Sequence, residues 1–128
     1  MMPDDFEHSA IRHYDDAETL AAAGSIDGAG HLIGFSAECG IKHGISALIA
    51  GIDPVHGHLP DLVDKAKRAL NQRRQSRLYT ILKDKDLFVS WKVETRYSSN
   101  GSITKLEYDT WRTQAFSILG AAGLRRRK

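Results

Sequence analysis

The sequence from 29 to 45 predicts a helix that is apolar on almost every side, and this limits the folds open to the chain. A helix with no polar face is normally buried in a protein core. Two charged residues, Glu38 and Lys42, nevertheless lie one turn apart in its middle. Buried charges are destabilising unless they are paired or serve a site. The pattern therefore predicts a buried central helix that carries a polar contact or a binding site.

Length and composition predict a single globular domain over 1–124, followed by a basic tail at 125–128. The chain has 128 residues, of which 41% are hydrophobic and 27% are charged, an ordinary profile for a folded domain. A formal net charge of +2 does not by itself indicate nucleic-acid binding. Basic residues do cluster, however, in the tail and at Lys65, Lys67, Arg68, Arg73, Arg74 and Arg77. Such a cluster could bind a phosphate backbone, or it could simply be solvent-exposed surface.

Cysteine usage and the start of the chain favour the cytoplasm. Cys39 is the only cysteine, so no internal disulfide can form and a reducing compartment is expected. The acidic start at 1–5 lacks the apolar stretch of a secretory signal. The apolar region 29–52 is interrupted by charges and glycines, so no membrane span is expected.

The first two helices follow from apolar spacing and glycine punctuation. Apolar residues recur at helical spacing over about 4–23, and Gly24 is expected to end this first helix. Ser25 is a suitable N-cap for the second, which we expect to reach about residue 50. The glycines of this second helix lower its intrinsic stability. Their presence predicts close approach of another backbone, and intramolecular packing is favoured over a ligand cradle.

The remaining elements complete an all-α fold. A third helix starts near Pro60. It either continues through the polar stretch 71–77 to Leu82 or breaks near Ser76, and we favour continuity. Residues 84–97 suggest a short helix followed by an extended piece. The last helix begins with a capping box, Thr104 to Glu107, and ends at Gly123. The predicted architecture is an antiparallel up-and-down bundle of four to five helices.

Four short segments occur in a suggestive order: Tyr14-Asp15-Asp16-Ala17, Ala37-Glu38-Cys39-Gly40-Ile41-Lys42, His58-Leu59 and Thr95-Arg96-Tyr97. This order resembles the HEPN domains of prokaryotes, which have an A-A-E-x-x-x-K second helix, a T-H-x-L start to the third helix and a late R-Y. The resemblance covers residues 8–120.

The resemblance implies a helical bundle that commonly forms homodimers. It also implies RNA cleavage, nucleotide binding, or a place in a toxin–antitoxin or defence module beside a nucleotidyltransferase-type partner. Ribonuclease members carry an Arg-x(4-6)-His motif, from which this chain departs. No histidine follows His58, and Arg12 is the only arginine before it. We therefore expect a module that binds RNA or a nucleotide without catalysis, and we expect no cofactor.

Glu38, Lys42, Arg96 and Tyr97 are the candidate binding residues. Glu38 and Lys42 have the i, i+4 order that favours a helical ion pair. Such a pair could fix packing or a dimer seam; alternatively, Lys42 could hold a phosphate that Glu38 orients. Arg96 could grip phosphate and Tyr97 could stack on a base. Equally, Tyr97 could fill the core while Arg96 pairs with an acidic residue.

Several histidines admit other chemistry. Cys39 and His43 lie one turn apart, and His56 and His58 follow in the next loop, but this spacing matches no standard zinc pattern. The first helix carries a polar face, formed by His8, Arg12, His13 and Asp16, which we interpret as solvent-exposed surface. A histidine general base oriented by a carboxylate is the weaker interpretation.

Two alternative functions stay open at this point. One is a dimeric regulatory protein whose partner is another protein. The other is a metal-independent ribonuclease with a rearranged site, in which His13 or His31 would act with Arg96. The distance from a histidine to Arg96 would separate the second alternative from the first.

Overall fold

A computed structural model describes residues 5–49, 51, 55–73, 75–91 and 103–124. All regular secondary structure in these ranges is helical, which confirms the predicted all-α class. The five helices are α1 (Phe6–Ala22), α2 (Ile26–Leu48), α3 (Asp61–Ala69), α4 (Arg77–Leu82) and α5 (Lys105–Ala121). Within the described ranges, none of them has both the length and the apolar character needed to cross a membrane.

Helices α1 and α2 form an antiparallel hairpin. The Asp5 side chain caps α1 by accepting the His8 N–H at 3.0 Å, and Gly24 makes the turn at a φ of +89°. The Ser36 hydroxyl donates to the Ala10 carbonyl at 2.6 Å, in the buried contact between the two helices. Eleven of the 23 residues of α2 are buried and only Ser46 and Ala47 are exposed, in line with its all-round apolar sequence.

Helix α5 packs beside α2 and runs in the same direction. The contacts advance together along both helices: Gly30 meets Trp111, Gly40 meets Leu119 and Gly44 meets Ala122. The predicted antiparallel arrangement is thus right for α1 against α2 but wrong for α2 against α5. The physical reason is the long connection from 49 to 104, which returns the chain to the start of α2 before α5 begins.

The glycines of α2 are packing residues, which confirms the favoured interpretation of intramolecular packing. The neighbours are side chains rather than the predicted second backbone, except at Gly44, where an added Cβ would lie 3.5 Å from Ala122 Cα. A Cβ at Gly40 would lie 2.8 Å from Leu119 Cδ2, and one at Gly44 would lie 2.7 Å from Leu78 Cδ2. A Cβ at Gly34 would overlap the indole of Trp91, whose Nε1 donates to the Gly30 carbonyl at 2.8 Å. The Trp91 ring therefore lies directly on the backbone of α2.

The favoured continuous third helix is wrong and the alternative, a break near Ser76, is confirmed, because α3 ends at Ala69 and α4 begins at Arg77. The described residues between them form turns. This stretch is polar on all sides, so continuing the helix would bury no additional apolar surface. Instead, the buried side chains of Leu70 and Leu78 hold both ends of the break against the core. The Ser76 hydroxyl starts α4 by accepting the Tyr79 N–H at 3.2 Å.

Residues 84–91 form a turn rather than the predicted short helix. The Gln114 side chain accepts the Phe88 N–H at 2.8 Å and donates to the Asp86 carbonyl at 3.0 Å. Phe88 and Ser90 adopt positive φ angles of 52° and 71°, which a helix excludes. The predicted extended piece at 92–97 lies outside the described residues.

The last helix begins as predicted. Thr104 Oγ1 accepts the Glu107 N–H at 3.0 Å, and Glu107 Oε1 accepts the Thr104 N–H at 2.9 Å, which completes the capping box. Gly123 follows the helix at a φ of +83°. The basic tail at 125–128 lies outside the described residues, so the domain boundary at 124 stays a prediction.

Candidate functional site at the junction of α2 and α3

The carboxylate of Glu38 is buried in the middle of α2 and has two hydrogen-bond partners. Only 4% of Glu38 is exposed. Its Oε2 accepts the backbone N–H of Leu59 at 2.9 Å, and its Oε1 lies 3.0 Å from Nδ1 of His58. Both partners belong to the loop that leads into α3. Glu38 therefore joins the centre of α2 to the start of α3, where Leu59 is itself part of the core.

The expected ion pair between Glu38 and Lys42 is wrong. The Lys42 ammonium lies 5.5 Å from the centre of the Phe6 ring on α1, in a cation–π contact. Glu38 instead faces the loop before α3. Two side chains one turn apart can diverge in this way because each meets a different neighbouring segment. A carboxylate that binds a backbone N–H and an imidazole no longer needs the lysine as a partner.

The imidazole of His58 has a defined orientation and a defined protonation at one nitrogen. A carboxylate can only accept hydrogen bonds, so Nδ1 of His58 carries the proton that faces Glu38. The opposite nitrogen, Nε2, has no partner among the described residues, and the side chain is 56% exposed. In the neutral ring, Nε2 therefore presents a lone pair to solvent. A buried carboxylate that orients an accessible imidazole is the arrangement used for proton transfer, and once Nε2 is also protonated the ring can donate to an anion.

A lysine ammonium lies on the same loop. Lys65 of α3 donates to the His56 carbonyl at 3.0 Å. A Cβ built on Gly57, whose φ is +122°, would be 3.1 Å from Lys65 Nζ, so the ammonium lies close to the backbone between the two histidines. The loop 55–60 thus brings a cation and an oriented imidazole to one exposed surface. Further cations lie along the following chain at Lys67, Arg68, Arg73 and Arg77.

The structure describes two of the four predicted binding residues, Glu38 and Lys42. Arg96 and Tyr97 lie outside the described residues, as do Arg74 and the basic tail. The predictions for Arg96 and Tyr97 therefore stay predictions. The same holds for a ribonuclease site in which His13 or His31 acts with Arg96.

The histidines of the first two helices have other surroundings. His13 packs against Phe35, with ring centres 6.2 Å apart, and burial lowers the pKa of His13. The exposed His8 ring binds the Asp5 carboxylate, and this hydrogen bond raises the pKa of His8. Among the described residues, no three His, Cys, Asp or Glu side chains form a group that could hold a metal ion. Cys39 and His43 are half-buried on α2.

Sequence reasoning noted His58 but did not connect it with Glu38. The signal that could have done so is geometric. After Glu38, α2 continues for ten residues to Leu48, or about 15 Å at the usual helical rise. The loop 49–57 is long enough to return the chain over that distance. His58 then lies on the approach to α3, where it can meet a buried carboxylate in need of a donor.

Comparisons of the chain with models of known protein families, with curated proteins and with solved structures find no match. The resemblance to HEPN domains accordingly rests on the sequence motifs alone.

Proposed function

We propose that this protein is a binding module for RNA or a nucleotide, and that it contacts phosphate through the loop 55–60 and the exposed side of α3. The single observation that carries the proposal is the His58 imidazole. The buried carboxylate of Glu38 orients it, and its Nε2 has no partner among the described residues. In this proposal Glu38 is a positioning residue. The phosphate contacts come from His58 and Lys65.

Three further features support recognition of phosphate. The Lys65 ammonium lies against the loop beside His58, so two nitrogen donors meet one surface when the imidazole is protonated. The cations that follow on α3 and in the next turn could extend contact along a phosphate backbone. The resemblance to HEPN domains supports the same ligand class, and it places Arg96 and Tyr97 as additional contacts. Lys42 contributes less than the sequence suggested, because its ammonium lies on Phe6.

The test is binding of the purified chain to a fluorescently labelled mixed-sequence RNA, measured by anisotropy over a range of salt concentrations. We expect affinity to fall as salt rises, because phosphate contacts release counterions. Lys65→Ala should weaken binding roughly fivefold to tenfold and lower the salt slope by about one. Lys85→Ala, an exposed lysine away from the loop, is the matched control and should bind as the wild type does. Equal effects of both variants, or no binding at low salt, would contradict the proposal.

A second candidate function, RNA cleavage, is favoured by the pairing of Glu38 with His58. Nε2 of His58 could take the proton from a ribose 2′-hydroxyl as that oxygen attacks the adjacent phosphorus. The 5′-oxygen would then leave with a proton from solvent, and a 2′,3′-cyclic phosphate would remain. Glu38 would hold the imidazole and stabilise its protonated form.

The same binding samples decide between binding and cleavage on a denaturing gel. Cleavage requires products that persist in EDTA and disappear in His58→Ala. Glu38→Gln provides a sharper probe, since the amide can donate to Nδ1 and move the ring proton to Nε2. That variant should keep RNA binding and lose cleavage. Intact RNA in the wild type would leave the binding module as the function.

Homodimerisation and a nucleotidyltransferase-type partner in a defence or toxin–antitoxin module stay predictions of the sequence resemblance. A protein that binds no RNA would favour the alternative of a dimeric regulatory protein. Its mass in solution, measured by light scattering, tests the dimer directly.

A further inference from the structure

The neutral imidazole of His58 is arranged as a nucleophile. Its Nδ1 carries a proton that faces the buried carboxylate of Glu38, and Nδ1 lies 3.0 Å from Oε1. The lone pair of the neutral ring is therefore on Nε2, which has no partner among the described residues. The His58 side chain is 56% exposed. A reactant from solvent can thus reach the nucleophilic nitrogen while the protein holds the opposite one.

The Glu38 carboxylate also favours the bond-forming step. When Nε2 attacks an electrophile, positive charge develops on the imidazole ring, and the adjacent carboxylate stabilises it. Because the carboxylate is buried, solvent and salt screen this interaction only weakly. A second hydrogen bond, from the Leu59 N–H to Oε2 at 2.9 Å, holds the carboxylate in place. Glu38 therefore holds the ring both before and after a bond forms at Nε2.

The charge beside the loop favours one class of electrophile. The Lys65 ammonium donates to the His56 carbonyl at 3.0 Å, and it would lie 3.1 Å from a Cβ built on Gly57. A cation is thus held against the backbone immediately before His58. A phosphoryl group keeps negative charge on its oxygens throughout its transfer, so a nearby cation favours it over a neutral acyl or alkyl group.

We propose that His58 is a phosphoryl acceptor, and that its donor is a phosphoramidate, the class to which the phosphohistidine of another protein belongs. The Nε2 lone pair attacks phosphorus, and the phosphorus–nitrogen bond of the donor breaks. The leaving nitrogen keeps the bonding electron pair and takes a proton from solvent. Nδ1 of His58 retains its proton, and the positive charge on the phosphorylated ring lies beside Glu38. One phosphorus–nitrogen bond replaces another, so no further reactant is required.

This reaction goes beyond the proposed binding of RNA or a nucleotide and does not depend on it. Binding a phosphate through Nε2 requires a proton on that nitrogen, whereas phosphoryl transfer requires its lone pair. The two uses therefore require different protonation states of the same ring. Acidification should strengthen the binding of phosphate and slow the phosphorylation, so the failure of one proposal is distinguishable from the failure of the other.

The experiment is incubation of the purified full chain with potassium phosphoramidate. Tandem mass spectrometry with electron-transfer fragmentation then locates the phosphoryl group and follows its appearance with time. His56 is the internal control, because it is exposed on the same loop and has no carboxylate partner among the described residues. We expect His58 to react roughly tenfold to hundredfold faster than His56, the usual size of the effect of a carboxylate behind an imidazole. The modification should be lost in acid and retained in base.

Glu38→Gln tests the carboxylate as a positioning residue. The amide can donate to Nδ1, which moves the ring proton to Nε2 and removes the exposed lone pair. The rate at His58 should then fall to that at His56. Long-range ¹H–¹⁵N NMR of the imidazoles reports the change of tautomer, which a purely structural role of Glu38 would not produce. Glu18→Gln changes a carboxylate that pairs with Arg112 instead, and it should react as the wild type does.

Three results would overturn the proposal. One is the absence of a phosphoryl group on His58 after incubation with the donor. Another is an equal rate at His56 and His58 in the wild type, a comparison that remains decisive if Glu38→Gln does not fold. The last is an unchanged rate at His58 in a folded Glu38→Gln protein.

Discussion

Glu38 on α2 and Tyr108 on α5 are both buried polar side chains, but they differ in what surrounds them. The Glu38 carboxylate accepts one backbone N–H and faces one imidazole. The Tyr108 hydroxyl has no partner in the described part of the chain. The difference shows that burial alone does not define a polar residue's role. A satisfied group holds the fold together, whereas an unsatisfied one weakens the fold.

The largest expected effect comes from removing the satisfied group. Glu38→Ala leaves the Leu59 N–H buried without an acceptor and opens a gap in α2, so the free energy of unfolding should fall by about 3 kcal/mol. Urea denaturation measures this change. Lys42→Ala is the matched control and should lose only about 0.5–1 kcal/mol, the value of a cation–π contact. Equal losses of stability in the two variants would instead indicate the Glu38–Lys42 ion pair that the sequence suggested.

One turn before Glu38, the packing of Trp91 on α2 leaves no room for a side chain at Gly34. Gly34→Ala places a methyl group where the Trp91 indole lies, and a hydrogen bond to the Gly30 carbonyl holds that ring in place. We expect a loss of about 2 kcal/mol in the free energy of unfolding.

Gly28→Ala is the control for the intrinsic helix preference of alanine. Its Cβ would be 3.2 Å from the end of the flexible Leu20 side chain, so its stability should be unchanged or slightly higher. If both alanine variants were as stable as the wild type, the close packing of Trp91 on α2 would be refuted.

Removing the unsatisfied hydroxyl of Tyr108 should have the opposite effect on stability. Tyr108→Phe removes a buried hydroxyl that has no partner among the described residues, so the free energy of unfolding should rise by about 1 kcal/mol. Thermal and urea unfolding both measure it. Tyr79→Phe should stay within about 0.5 kcal/mol of the wild type. A destabilised Tyr108→Phe protein would mean that the hydroxyl has a partner after all.

The smallest expected effect concerns His13, a half-buried imidazole on α1 that contacts Phe35. Because burial lowers its pKa below the ordinary 6.5, the unfolded chain takes up a proton at a higher pH than the folded chain. Its contribution to stability is complete above pH 6.5 and is lost as pH falls through the lower folded value. The melting temperature should therefore fall less on acidification in His13→Leu than in the wild type. Parallel pH profiles for the two proteins would contradict the assignment.

Local patterns were sufficient for much of the secondary structure. The capping box at Thr104, the turn at Gly24 and the burial of α2 each depend on residues within a few positions of one another. Continuity between α3 and α4 was wrongly favoured, because helix preference alone does not reveal that the stretch between them has no apolar face to bury. The turn at 84–91 was missed for a different reason. Its hydrogen bonds come from Gln114 on α5, which is remote in sequence.

The sequence by itself determined that this chain folds as helices around a buried, glycine-rich α2 with a charged residue inside it. Spacing, capping residues and glycines act over one or two turns and can be read directly. Only the tertiary structure decided what each polar group meets: His58 and Leu59 for Glu38, Phe6 for Lys42, and no partner among the described residues for the hydroxyl of Tyr108. These contacts join segments that lie 20 or more residues apart, or segments on different helices. They depend on how the long connection folds back, and no local pattern in the sequence specifies that path.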